Sequence, residues 1–168
     1  VGAFRSLWEA RNPDSAFSIS TKVDKPEYSI GDFITLRVQA TADCYITLLN
    51  WNTKDELVQL FPNRYDSSDF IKAGEEYSFP SLESGFDFTV FGPRGEERFK
   101  IIATRDRADS EKIRKLIPAD DGGSMFARIA IIPRKASSGK TTEAKVLEAL
   151  SNMERRNWAE TNCTIKVR

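Results

Sequence analysis

The side chains that most often carry chemistry are scarce in this chain, and what is missing narrows the choices first. Histidine does not occur among the 168 residues. Its absence removes the commonest general base, metal ligand and pH switch, and rules out a Ser-His-Asp or Cys-His site. No serine sits in a nucleophile elbow. The segment Ser137-Ser138-Gly139-Lys140-Thr141-Thr142 imitates a phosphate-binding loop, following a strand candidate and opening a helix. That motif needs a glycine five places before Gly139, where this chain has Arg134. The stretch therefore reads as a solvated loop with Thr141 or Thr142 as the N-cap of a helix.

Asp106, Asp109, Asp120 and Asp121 are candidate calcium ligands, an oxygen-rich set suited to a hard cation. Their spacing matches no EF-hand loop, and Asp120-Asp121-Gly122-Gly123 is equally ordinary turn chemistry. No cofactor is indicated. The 25 acidic residues offer many pairs for carboxylate-based glycoside hydrolysis, but nothing selects one pair. Cys44 and Cys163 open two strands far apart in sequence, which a sandwich can bring together. A disulfide there would close a long loop; the alternative is two buried free thiols behaving as small hydrophobes. Trp51, Tyr65, Phe70 and Tyr77, with Phe79, flank a long polar connection. Exposed, they would stack on sugar rings or accept a partner's strand; buried, they are core.

The elements that would position these residues are mostly strands. Phe17, Ile19, Thr21 and Val23 alternate with polar neighbours over 16–23, and Ile34, Leu36, Val38 and Ala40 do the same after Gly31-Asp32. Cys44–Trp51 is apolar on both faces and reads as a central strand. Turn residues at 52–55 return the chain as a strand over 56–61, ended by Pro62-Asn63. Residues 64–84 form a long connection with a brief strand. Phe86, Phe88 and Val90 alternate next, and a Gly92-Pro93-Arg94-Gly95 turn leads to a strand over 97–104 with Phe99, Ile101 and Ala103 inward.

Beyond residue 105 the texture changes. A helical turn over 109–116 ends at Pro118, a strand candidate covers 127–132, and 134–140 is linker-like. Val146, Leu147, Leu150 and Met153 line one side of a helix over 142–155, and 161–167 is a closing strand. The chain thus divides into a lead-in, 1–15, and one domain, 16–168, in which 106–157 is a mixed helical insertion. The lead-in either docks through its aromatic residues or stays loose. This is a mainly β, antiparallel sandwich with one or two helices inserted before the last strand.

Lysine plus arginine equals aspartate plus glutamate, and the two signs are interleaved. A nucleic-acid partner, which needs a clustered basic excess, is therefore not expected. No apolar run approaches the roughly 18 residues of a spanning helix, so no membrane insertion by this segment is expected. The chain opens Val1-Gly2-Ala3-Phe4 and reads as a piece of a longer precursor, so it carries no information on a targeting signal.

The ordered set Lys25-Pro26-x-Tyr28-x-x-Gly31-Asp32, Tyr45–Trp51, Leu60-Phe61-Pro62-Asn63 and Ala73-Gly74 resembles a bacterial domain-of-unknown-function family, number 4384. Phe91-Gly-Pro-Arg-Gly95, Ile102-Ala-Thr-Arg105 and Trp158-Ala159 fit as well, so the resemblance runs from about Phe17 to Val167. It implies an immunoglobulin-like sandwich without intrinsic chemistry, an accessory module of envelope, peptidase or kinase proteins. Gly31 would serve a tight turn, Asp32 would bond nearby amides, and Tyr28 would act as a corner tyrosine. The expectation is a non-enzymatic domain of the periplasm or cell surface that binds a protein or glycan, with 62–84 as the first place to look. The alternatives are a purely structural spacer and a cryptic carboxylate-based hydrolase.

Overall fold

The computed structural model describes residues 2–117 and 141–168, without side-chain detail for 2–4. Its strands are β1 (Ile19–Lys22), β2 (Glu27–Tyr28), β3 (Phe33–Ile34), β4 (Leu36–Ala40), β5 (Cys44–Trp51), β6 (Leu57–Phe61), β7 (Phe70–Ile71), β8 (Glu76–Phe79), β9 (Phe88–Thr89), β10 (Gly95–Thr104) and β11 (Trp158–Val167). Three helices accompany them: α1 (Gly2–Glu9), α2 (Arg107–Leu116) and α3 (Thr142–Ser151). The expected strand over 127–132, the Asp120–Gly123 loop and the 134–140 linker lie outside the described residues.

The protein is mainly β. A small sheet runs β1-β4-β8 and a large one β2-β11-β10-β5-β6, with β7 also on β5 and β3 paired to β9. Pairing is antiparallel except where β2 joins β11. Along β4, Leu36, Val38 and Ala40 are buried while Arg37 and Gln39 are exposed, as the alternation requires. They meet Ile46, Leu48, Phe99, Ile101 and Ile165 of the large sheet in one core, which is the sandwich.

The large sheet is covered on its other face as well. Leu7 of α1, Ile113 of α2, and Val146 and Leu150 of α3 pack with Leu49, Trp51, Ile102 and Trp158 in a second core. This third layer explains why β5 is apolar on both faces: one face meets the small sheet and the other meets helices. The lead-in docks as α1, and the helices flanking 118–140 form a layer against the sheet.

Boundaries moved where pairing or capping decided them. β1 spans only 19–22 because its ladder to β4 runs from Ile19↔Ala40 to Lys22↔Arg37. β11 begins at Trp158, three residues before the expected closing strand, because β10 pairs with it over its full length, to Thr104↔Trp158. α3 stops at Ser151, and residues 155–157 turn as a 3-10 helix. At its start the Thr141 hydroxyl accepts from the Ala144 amide at 3.2 Å, as a capping residue should. Thr141→Ala is expected to cost about 1 kcal/mol, readable as a drop of a few degrees in melting temperature.

The motif residues before β3 behave as turn chemistry. Gly31 has φ +96°, a left-handed value that glycine adopts without strain. The Asp32 carboxylate accepts from the Ser29 amide at 2.9 Å, which, with Lys25, holds it below the usual carboxylate range. Tyr28 is buried with its hydroxyl near the backbone of Asp24 and Lys25 but forms no aligned hydrogen bond. The corner-tyrosine tie is therefore not made.

Candidate functional site

The alternation that sends Phe99, Ile101 and Ala103 into the sandwich also sends Glu97 there, two residues earlier on β10. Its partner across the ladder is Ile165 of β11, a buried residue. At this end the large sheet faces the β3–β9 pair across a cavity of about 470 Å³. Ile34, Val58, Leu60, Phe88 and Phe99 wall it, and Asn50 and Glu97 bring polar atoms into it. Burial alone pushes the Glu97 carboxyl up to about 7. Among the described residues no hydrogen bond or ion pair engages it.

Asn50 lies opposite Phe99 on β5 and shares its face. Its Nδ2 donates to the carbonyls of Arg98 at 3.2 Å and Trp51 at 3.4 Å, which fixes the amide and leaves Oδ1 as an acceptor. The mouth is framed by the β5–β6 turn. Asn52 Oδ1 accepts from the amides of Lys54 and Glu56 at 2.9 and 3.1 Å, and its Nδ2 donates to the Glu56 carboxylate at 3.0 Å. On the far side the β9–β10 turn closes tightly: a Cβ at Gly92 would meet Ile30 Cδ1 at 2.9 Å. Ile30 itself is 49% exposed and Phe33 65%, so apolar surface continues outside the pocket.

The aromatic residues singled out in the sequence do not form one cluster. Trp51 is fully buried. It sits in the core beneath the helices, edge-on to Trp8 at 5.9 Å, with its indole N–H donating to Glu143 Oε1 at 3.3 Å. It is therefore no surface-binding residue, because β5 is covered on the face that carries it. Tyr65 and Phe70 are exposed, and Tyr77 is half-buried. Each leans on a different ring: Tyr65 on Phe86, Phe70 on Tyr45, and Tyr77 on Phe79. The Tyr77 hydroxyl also donates to Glu75 and accepts from the Lys72 amide.

Asp106 occupies the N-cap position of α2 without a capping bond, and Asp109 lies in its first turn. Asp120, Asp121 and residues 137–140 of the loop that imitates a phosphate site lie outside the described residues. Among the described residues no three metal-ligating side chains converge.

Of the two alternatives for the cysteines, the structure has the free thiols. Cys163 pairs with Phe99, whereas Tyr45, the neighbour of Cys44, pairs with Thr104. At about 3.3 Å per residue the cysteines stand roughly 20 Å apart along the sheet, against the roughly 7 Å Cα limit for a bridge. Burial raises both thiols, Cys44 to about 12. Denatured without reductant, the protein is expected to titrate two thiols per chain; none would show a bridge.

Two buried polar clusters are structural instead. Lys100 is fully buried on the helix-facing side of β10. Its ammonium donates to Glu160 at 3.0 Å, Asn162 at 3.0 Å, and the Ala10 and Trp8 carbonyls at 3.1 and 3.4 Å. It thereby satisfies carbonyls left open at the end of α1. Arg114 of α2 pairs with buried Asp69 and donates to Ser110 at 3.0 Å, tying α2 to the segment before β7.

Fold and pocket together define a two-sheet β-sandwich with a helical third layer and an acidic pocket at its open end. Residues 27–107 match the model of DUF4384, described as a domain of unknown function, and this stretch of the chain is similar to that family. The match runs from β2 into α2, shorter than the span over which the motifs resemble the family. No curated protein matches the chain. A crystal structure of Spo0M, sporulation control protein, from Bacillus subtilis, is similar at 18% identity and a TM-score of 0.31. That likeness covers 61% of this chain and 54% of that one, and it carries no argument about function.

Proposed function

We propose that this chain is a non-catalytic accessory domain of a bacterial cell-envelope protein that binds a protein or glycan partner at the open end of its sandwich. The reading rests on the pocket. A carboxylate without a partner between apolar walls costs stability, and proteins keep such costs where a ligand relieves them. A spacer would gain nothing from it. The exposed Ile30 at the mouth extends the same apolar surface toward a larger partner.

Titrating the labelled domain with peptidoglycan fragments, envelope glycans and detergent-extracted envelope protein, followed by amide NMR, tests the reading. Shifts are expected at Asn50, Thr89, Gly92 and Glu97. Shifts confined to the helical layer, or none with glycan or envelope protein, would overturn it.

One observation favours a second reading. A carboxyl raised to about 7 suits a general acid, and Glu56 borders the same pocket. Turnover of a glycoside panel that disappears in Glu97→Gln would put a hydrolase in place of a binding domain.

A further inference from the structure

We propose that the pocket selects an organic cation, an ammonium or guanidinium group carried on an apolar stem. This rests on the binding reading and names the ligand chemistry. Of the three polar residues that line the cavity from the strands, Asn50, Thr89 and Glu97, the amide and the acid both offer acceptors, and the Thr89 hydroxyl can turn to accept as well. Glu97 has no donor among the described residues, and the Asn50 amide has already spent its N–H groups on the Arg98 and Trp51 carbonyls. A ligand head that satisfies both must donate. Carboxylates and phosphates would meet an acid and a carbonyl oxygen, and a neutral hydroxyl would leave the carboxylate's charge uncompensated.

The walls fix the rest of the ligand. Val58, Leu60 and Phe88 line the approach to Glu97 with hydrocarbon and aromatic surface, which suits methylene groups. The volume, about 470 Å³, exceeds a simple alkylammonium and falls in the range of small-molecule sites. Lys54 and Glu56 are the other charged side chains lining the cavity, both from the β5–β6 turn. They oppose one another in sign, so Glu97 sets the net charge. Arg98 projects from the opposite face of β10 and is held by Glu96 and Asp55.

Binding of n-butylammonium, n-butylguanidinium, n-butanol and N-acetyl-lysine amide can be followed by NMR of the intact chain across pH. Both butyl cations are expected to bind with shifts at Asn50 and Glu97, at least about tenfold more tightly than butanol. Affinity should weaken toward about tenfold per pH unit below 7 as Glu97 protonates. Glu97→Gln should abolish both the preference and the pH dependence. Binding of N-acetyl-lysine amide would identify a protein side chain as the source; binding of the free amines alone would identify a small metabolite. Equal binding of butanol, an unaffected Glu97→Gln variant, or no binding by any cation would overturn the proposal. Shifts at the pocket with envelope glycans but not with cations would sink this inference and leave the binding reading standing.

Discussion

Lys100→Met should lower the stability of the domain by about 3 kcal/mol, near the bottom of the range for breaking a buried ion pair. In a chain of this size that corresponds to a fall in melting temperature on the order of 10 °C. The lysine is fully buried, and burial pulls its ammonium down to about 8 while Glu160 works against that shift. Methionine fills the space but removes the ammonium from Glu160 and leaves Asn162 Oδ1 without its donor, while the Trp8 and Ala10 carbonyls keep their bonds from Arg11 and, at Trp8, from the Asn162 amide. Glu160 keeps a longer contact to Arg11, at 3.6 Å, so the loss is not larger. Because the lost bonds join α1 to the sheet, proteolysis should begin in residues 2–12 of the variant. Adding Glu160→Gln should recover part of the deficit, since it removes the stranded charge. Thermal melts of the single and double variants measure both effects, and an unchanged melting temperature for Lys100→Met would show that the cluster holds nothing.

Glu97→Gln should act in the opposite direction and only above mildly acidic pH. The Glu97 carboxyl is raised by burial from 4.5 to about 7 in the folded chain. The folded state therefore holds a proton that the unfolded chain releases between those values. The stability this confers is complete below about pH 4.5 and is lost as pH rises through 7. By pH 8 the wild-type protein carries a half-buried charge whose cost, screened by the solvent at the pocket mouth, is on the order of 1–2 kcal/mol. Glutamine keeps the shape without the charge. The two proteins should melt together at pH 4.5, and the variant should melt higher at pH 8. A variant less stable at pH 8 would mean that Glu97 has a partner that holds it ionised.

These two residues mark how far the sequence could be read. Strand alternation identified the sandwich faces because a period of two does not depend on what covers the second face. The same alternation places Glu97 inward, two residues before Phe99, although an acid in a strand ordinarily faces solvent. Trp51 stands open in the sequence between a surface role and the core, and the structure puts it in the core. The two apolar faces of 44–51 show that the second side of β5 is covered, but not that helices supply the cover. Strand order alone cannot choose between a bridge and free thiols, because the choice depends on register: both thiols border β10, but about six residues apart along it. Thr141 was legible as a cap because its hydrogen bond is local. Lys100 was not, since its partners come from α1 and β11.

The central claim is that an unpartnered carboxyl stands inside the open end of the sandwich, ready for a ligand. The most direct test is a pH titration of the Glu97 side-chain carboxyl followed by carbon NMR on the intact chain. A midpoint near 7, falling when a ligand occupies the pocket, is the predicted result. A midpoint at the ordinary glutamate value of 4.5 would place the carboxyl in water and contradict the account.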